Sequence, residues 1–307
     1  MIRIGTRKSP LALKQADIVR DALIAYAGCL ADEIKIIPMS TTGDQITDRR
    51  LMLIGGKGLF TKEIEEALIR DEVDIAVHSM KDVATVMPEA LIIPCCLPRE
   101  DVRDVWISHK SHHPKEMMAG MKVGTSSLRR SAQILHMNPQ IEIVTLRGNV
   151  QTRLQKIEEG EADATVLAMA GLKRLNLSHV AKHVFDIEEM LPAPAQGALG
   201  IQCRREDRRI QQILSCLNHS QTWRAVEIER AFLAELDGSC RTPIAAWAEF
   251  ENDMCTFKGL LSDPYGKTVI KEQIVAHEKE ILSLVQQLGK EWLQQYGHAF
   301  YAAEEIE

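Results

Sequence analysis

Arg3-Ile4-Gly5-Thr6-Arg7-Lys8-Ser9-Pro10 opens the chain with a short apolar strand, a polar turn and the start of a helix. Ser9 is suited to cap that helix and Pro10 to sit in its first turn, where a missing N–H costs nothing. Leu11, Leu13, Ala16, Val19, Leu23 and Ile24 then recur at helical spacing. A strand that feeds a helix through a tight turn is the building unit of an open α/β sheet. It places Arg7 at the strand's C-terminal end, where such sheets bind ligands. The positive end of the helix beside Arg7 suits a carboxylate or a phosphate.

Working outward, residues 33–39 read as a second strand, and a polar stretch follows that ends in Gly55-Gly56-Lys57-Gly58-Leu59-Phe60. Glycines around Lys57 without the spacing of a nucleotide P-loop predict a mobile flap rather than an ATP or GTP site. A helix is expected over 62–70. Asp74-Ile75-Ala76-Val77 then reads as a buried strand ending in the polar cluster His78-Ser79-Met80-Lys81-Asp82.

A second α/β unit begins near Val102, with Val105-Trp106-Ile107 as a strand. Val123-Gly124-Thr125-Ser126-Ser127-Leu128-Arg129-Arg130 repeats the strand-turn-helix pattern, with hydroxyls at a helix start and two arginines in its first turns. A strand over 141–146 runs into Arg147-Gly148-Asn149-Val150-Gln151-Thr152-Arg153 and a helix to 159. Another strand over 164–168 is followed by Gly171-Leu172-Lys173-Arg174. One arginine after a strand is ordinary surface; the recurrence of the pattern in an acidic chain points to an anion site.

Leu191-Pro192-Ala193-Pro194-Ala195-Gln196-Gly197 is stiff and extended, suited to cross between domains. A strand over 199–203 is placed to return to the first sheet. Helices are expected over 207–217 and 222–236, then a small antiparallel sheet from 245–251, 254–261 and 268–276, closed by a helix over 278–295. Between them, Leu236-Asp237-Gly238-Ser239-Cys240-Arg241-Thr242-Pro243 ends a helix in a turn and holds Cys240 on a loop. A cysteine at such a place is ordinarily a small buried hydrophobe, although the Arg241 guanidinium beside it favours the thiolate.

The chain has 307 residues, two or three domains' worth at about 150 residues each. Its 45% hydrophobic and 26% charged content is that of an ordinary globular protein. A net charge of −6 argues against general nucleic-acid affinity, so anion binding must be local. Seven cysteines without framework spacing fit a reducing compartment, and the adjacent Cys95-Cys96 lacks a second pair at metal-site spacing, so no metal is expected. There is no apolar run near the length of a membrane span and no secretory leader, which predicts an unexported, cytoplasmic protein without a membrane partner.

Gly5-Thr6-Arg7, Gly56-Lys57-Gly58-Leu59-Phe60, His78-Ser79-Met80-Lys81-Asp82, Gly124 to Arg130, Arg147-Gly148-Asn149-Val150, Pro192 to Gly197 and Leu236 to Cys240 together closely resemble the porphobilinogen deaminase family of tetrapyrrole biosynthesis. The resemblance runs through nearly the whole chain. It implies an α/β fold of two doubly wound lobes, built like a two-lobed solute-binding protein, plus a small C-terminal α+β domain with a three-stranded antiparallel sheet. The expected boundaries are 1–98 with 198–217 for the first domain, 102–192 for the second and 221–307 for the third, the working unit being a monomer. The resemblance further implies a dipyrromethane cofactor held by Cys240 through a thioether. On it, four porphobilinogen molecules are joined head to tail with loss of ammonia, and hydroxymethylbilane is released by water.

On that resemblance Ser79, Lys81, Asp82, Thr125, Ser127, Arg129, Arg130 and Gly148 hold the cofactor, while Arg7, Ser9, Phe60, Arg147, Arg153, Arg174 and Gln196 meet substrate. Gly56, Lys57 and Gly58 form the flap. Every pyrrole carries an acetate and a propionate, which planar guanidinium groups bind in bidentate fashion. Asp82 is the expected catalytic residue. Neighbouring cations favour the charged form of a carboxylate, so its expected task is to stabilise developing positive charge rather than to donate a proton.

Three other readings use the same features. A two-lobed anion- or solute-binding protein shares the lobes but is expected to carry an export signal. A thiol hydrolase would pair Cys240 with a histidine base. A phosphate-ester enzyme would need a Walker motif or a magnesium-binding carboxylate pair, and neither is evident.

Overall fold

The computed structural model describes residues 1–45, 60–236 and 242–301. The flap residues Gly56, Lys57 and Gly58, and the Asp237-to-Arg241 turn with Cys240, lie outside the described residues.

The chain opens as its first residues dictate: β1 (Ile2–Arg7) passes through a turn into α1 (Pro10–Ala27). Ser9 caps α1, its hydroxyl accepting from the Ala12 N–H. β2 (Ile34–Met39), the short α2 (Thr42–Gln45), α3 (Lys62–Ile69), β3 (Ile75–Ser79) and β4 (Leu91–Cys96) complete the first passage. The second α/β unit runs β5 (Asp104–Ser108), β6 (Lys122–Gly124), α4 (Leu128–Met137), β7 (Glu142–Val144), α5 (Val150–Glu158), β8 (Ala164–Ala168), α6 (Met169–Arg174) and β9 (His183–Val184). The chain then returns through β10 (Leu199–Arg204) and α7 (Arg208–Ser215). Last come α8 (Ser220–Glu235), β11 (Ile244–Glu251), β12 (Met254–Ser262), β13 (Val269–His277) and α9 (Glu278–Tyr301).

Among the described residues these strands form three sheets, ordered β2-β1-β3-β10-β4, β7-β6-β8-β5-β9 and β11-β12-β13. In the first, β1 runs parallel to β2 and β3, and β10 enters antiparallel between β3 and β4. The second repeats this plan, with β6 parallel to β7 and β8 and with β5 antiparallel to β8. The third is wholly antiparallel, with one face buried under α8 and α9. The molecule is thus two α/β lobes and a C-terminal domain, and the parallel strands of each lobe end at one edge of its sheet.

β4, β7 and α9 depart from the sequence expectation. Pro94 made 94–98 read as a break, yet it lies within β4. Proline is tolerated there because β4 is an edge strand and its pairing with β10 shifts register between Ile201 and Cys203. The strand expected over 141–146 is shorter, since Ser126 Oγ takes the Leu146 carbonyl outside the sheet. α9 runs beyond 295 to Tyr301.

Two segments, 97–103 and 191–198, connect the lobes and touch: Glu100 N–H donates to the Gly197 carbonyl at 3.3 Å. Gly197 has φ +88°, and a Cβ there would meet Glu100 O at 2.3 Å, so both the turn and the close approach require glycine. Glu229 of α8, wholly buried, fastens this crossing to the C-terminal domain. It accepts from Arg99 Nη1 and Nη2 at 2.6 and 2.9 Å, from Ala195 N–H at 2.6 Å and from Ala248 N–H at 2.8 Å.

Candidate active site

β1 and β3 deliver Arg7 and Ser79 to the same edge of the first sheet, and a 3-10 turn after β3 (Met80–Asp82) carries Lys81 and Asp82 off that edge. Met80 is buried and anchors the turn, leaving Lys81 and Asp82 half-buried on either side of the lobe's opening. Behind them Ser79 Oγ accepts from Gln15 Nε2 at 3.0 Å. His78 Nε2 meets Gln202 Oε1 at 2.9 Å, and Gln202 donates to Glu65 at 3.0 Å. Burial pushes His78 down to about 4, so it stays a neutral hydrogen-bonding group. Arg7 stacks its guanidinium over the Phe60 ring at 4.4 Å.

The second lobe presents its cations by the same device. After β6, Thr125 Oγ1 accepts from Ser127 N–H at 3.2 Å, and Ser127 caps α4 by accepting from the Arg130 N–H at 3.4 Å. After β7, Asn149 caps α5, and Arg153 Nε reaches back to the Gly148 carbonyl at 2.9 Å. Gly148 has φ +119°, and a Cβ there would meet Thr152 Cγ2 at 2.6 Å, so this turn also requires glycine. α6 ends at Arg174, whose Nη2 donates to the Gly197 carbonyl of the interlobe crossing at 2.7 Å.

The centre of the arrangement is Asp104, the first residue of β5 and wholly buried. Its carboxylate accepts from Arg129 Nη2 and Arg130 Nη2, each at 2.7 Å, and from Gln196 Nε2 at 3.0 Å. Burial would raise this group, but the two guanidinium groups overcome that and hold Asp104 well below the usual carboxylate range. Gln196 Oε1 accepts in turn from Lys81 Nζ at 3.2 Å, which links the first lobe to the second. Burial, helped by the nearby Arg130 charge, pushes Lys81 down to about 8. Burial also brings Arg153 down to about 10; Arg130 and Arg147 push the same way and Asp82 opposes them. Arg174 falls to about 10 through burial.

These couplings bring Lys81, Asp82, Arg130, Arg147 and Arg153 into one electrostatic unit across the cleft. Arg129 and Gln196, expected to touch cofactor and substrate, are also tied to protein partners. Arg129 also donates to the Leu191 carbonyl at 2.8 Å. Gln196 is fully buried, with its second amide hydrogen on the Val102 carbonyl at 2.7 Å. Both donate to the same carboxylate, Asp104, from different segments of the chain. Ser9 and Ser127 act at least as helix caps. Asp104 and Glu229 were absent from the sequence reading, although each carries a signal: a carboxylate opening an apolar strand, and one on the apolar face of a helix.

The arrangement suits a ligand bearing several carboxylates. Arg130 Nε is buried with no hydrogen-bond partner, so the cluster keeps unused donor capacity. The described buried cysteines offer no rival nucleophile: burial pushes the Cys95 and Cys96 thiols up to about 12 and those of Cys203 and Cys255 up to about 11.

Residues 2–212 match the family model for the porphobilinogen deaminase dipyrromethane cofactor binding domain, and residues 223–294 match the porphobilinogen deaminase C-terminal domain. The chain belongs to the porphobilinogen deaminase family. Among its relatives in that family, the chloroplastic porphobilinogen deaminase of Oryza sativa subsp. japonica is 56% identical over 272 residues, spanning 88% of this chain and 76% of the relative. Porphobilinogen deaminase of Paracoccus denitrificans is 52% identical over 274 residues, 89% of this chain and 88% of the relative. A periplasmic substrate-binding protein of an ABC transporter from Coxiella burnetii overlays with a TM-score of 0.46 at 16% identity, covering 71% of this chain and 92% of that one. At that level the likeness carries no argument about ligand. Membership of the porphobilinogen deaminase family sets aside the solute-binding, hydrolase and phosphate-ester readings. No helix among the described residues is long and apolar enough to cross a membrane.

Proposed function

We propose that this cleft joins four porphobilinogen molecules head to tail on a dipyrromethane carried by Cys240 and lets water release the product as hydroxymethylbilane. The observation that carries the reading is the hydrogen-bonded chain from Lys81 Nζ through Gln196 to Asp104 and its two arginines, which sets the Lys81-Asp82 turn of the first lobe among the cations of the second. When bound, the dipyrromethane supplies a tethered pyrrole whose free α-carbon accepts each new unit. In each condensation the aminomethyl C–N bond of porphobilinogen would break with ammonia leaving with the electron pair, the methylene carbon would form a C–C bond to the free pyrrole α-carbon, and that attacking α-carbon would lose its proton.

Asp82 is assigned the charge that the substrate develops as ammonia leaves; a fixed carboxylate stabilises that charge without reorganising. Arg130, Arg147 and Arg153, with Lys81, hold the acetate and propionate groups by charge-assisted hydrogen bonds. Arg7 on Phe60, Arg174 at the crossing, and the hydroxyls of Ser9, Ser79, Thr125 and Ser127 line the approach. The Gly148 turn aims Arg153. Arg129 joins the cofactor contacts and Gln196 the substrate contacts, both oriented by Asp104.

The domain boundaries that go with this reading are 1–98 with 198–217, 102–192 and 221–307; membership of the three sheets supports them. The same reading has a monomer working in the cytoplasm, supported by seven cysteines without disulfide-framework spacing. The test is stoichiometry with porphobilinogen as sole substrate. One ammonia per porphobilinogen and one hydroxymethylbilane per four are expected. Ammonia release without a tetrapyrrole, or no turnover by primed protein, would contradict the proposal.

A further inference from the structure

The second lobe carries another cluster of chemistry-bearing side chains, away from the cleft and unused by the condensation. His113 caps a 3-10 turn (Pro114–Glu116), His183 lies on β9, and Glu189 lies in the turn that leads to the interlobe crossing. One donor atom from each lies within 4.8 Å of the other two. His183 Nε2 is 3.0 Å from Glu189 Oε2, and His113 Nε2 is 3.3 Å from Glu189 Oε1. His113 Nε2 is buried, yet its contact with Glu189 does not have hydrogen-bond geometry.

The two His–Glu separations, each to a different carboxylate oxygen, are near those of ligands around a common centre. Donor atoms about 2.1 Å from a tetrahedral zinc ion lie about 3.4 Å from one another. The rings are already oriented: His113 and His183 meet edge to face with centroids 4.9 Å apart, and both pack on Phe185 at 5.7 and 5.0 Å. The Asp186 N–H, donating to Glu189 Oε2 at 3.1 Å, fixes the carboxylate. All three side chains remain partly open to solvent, which leaves room for a water ligand.

We propose that His113, His183 and Glu189 bind one divalent transition-metal ion of the zinc class, with water completing the coordination. Two imidazoles and a carboxylate favour zinc, copper or nickel over magnesium or calcium. Binding takes the His113 tautomer with its proton on Nδ1, so the exposed contact from the Lys115 N–H to that atom is given up to water. The ion ties together three segments, the last of which feeds Leu191 and the crossing. It therefore acts as a clamp on the second lobe rather than in the reaction.

The test uses tag-free, chelator-stripped protein with its cofactor attached. Cobalt(II) is titrated in by visible absorption, then displaced by zinc, for wild type, His183→Ala and Glu189→Gln. Wild type is expected to bind one equivalent with the intense bands of four-coordinate cobalt. Its unfolding midpoint should rise in zinc. Each variant should bind at least about tenfold more weakly, the loss that even an outer-sphere change brings, and neither should gain thermal stability from zinc. Porphobilinogen turnover should be the same in all three without metal. No stoichiometric binding, or binding of equal strength in wild type and both variants, would overturn the assignment.

Discussion

Asp104 and Arg130 form a hydrogen-bonded ion pair, 2.7 Å long, buried at the first residue of β5. Arg129 and Gln196 join the same carboxylate, so one side chain orients two guanidinium groups and, through Gln196, Lys81.

Asp104→Asn should cost stability as well as activity. Removing one partner leaves buried cations uncompensated, a loss of about 3–5 kcal/mol, read as a lower urea midpoint. The native carboxylate is held below its unfolded pKa of about 3.9. Its contribution is therefore fully present above that pH and fades as pH falls through the lower folded value. The wild-type advantage over Asp104→Asn should accordingly shrink in acid; a gap constant from pH 7 down to acid unfolding would contradict the pairing.

How much of this was legible in the sequence follows the range of the interactions. Ser9 and the hydroxyls before Leu128 declared their helices because a cap acts over three residues, and β3 and β8 open as short, largely apolar runs. β4 was hidden by Pro94, since nothing local says that a strand is at an edge. The candidate site was legible as strand-end cations, but which of them face the cleft was not. Arg129 and Arg130 meet Asp104 from 25 and 26 positions away, and Arg99 meets Glu229 from 130. Only the fold brings such partners together, so the Asp104 contacts of Arg129 and Gln196 were not legible in the sequence.

Lys81, pushed down to about 8, should lose its charge, and with it carboxylate affinity, on the alkaline side of neutrality. kcat/KM for porphobilinogen should fall above about pH 8, and Lys81→Arg, whose guanidinium stays charged, should move that fall upward. An unchanged alkaline limb in Lys81→Arg would assign it to another group.

Asp82→Asn should keep the fold and substrate affinity while losing turnover by about 10²–10³-fold, the scale of one preorganised electrostatic group. The comparison is made on protein with its cofactor attached. Turnover within about twofold of wild type would remove Asp82 from the reaction.

A chain that lengthens in a fixed site must present its carboxylates to different cations in turn. Arg147→Leu and Arg174→Leu should therefore each stall a different addition. The lost charge-assisted hydrogen bond is worth about 1.5–3 kcal/mol, or about 10- to 150-fold in affinity. Mass spectra after limited porphobilinogen should show one bound intermediate accumulating in each variant. A wild-type ladder with normal turnover in both would refute the positional order.

The most direct test of the account is the intact mass of the denatured protein. It should exceed the mass of the bare chain by two pyrrole units, and Cys240→Ala should lose both that increment and all turnover. An active preparation whose mass equals the bare chain would contradict the covalent cofactor, and with it the reading of Cys240.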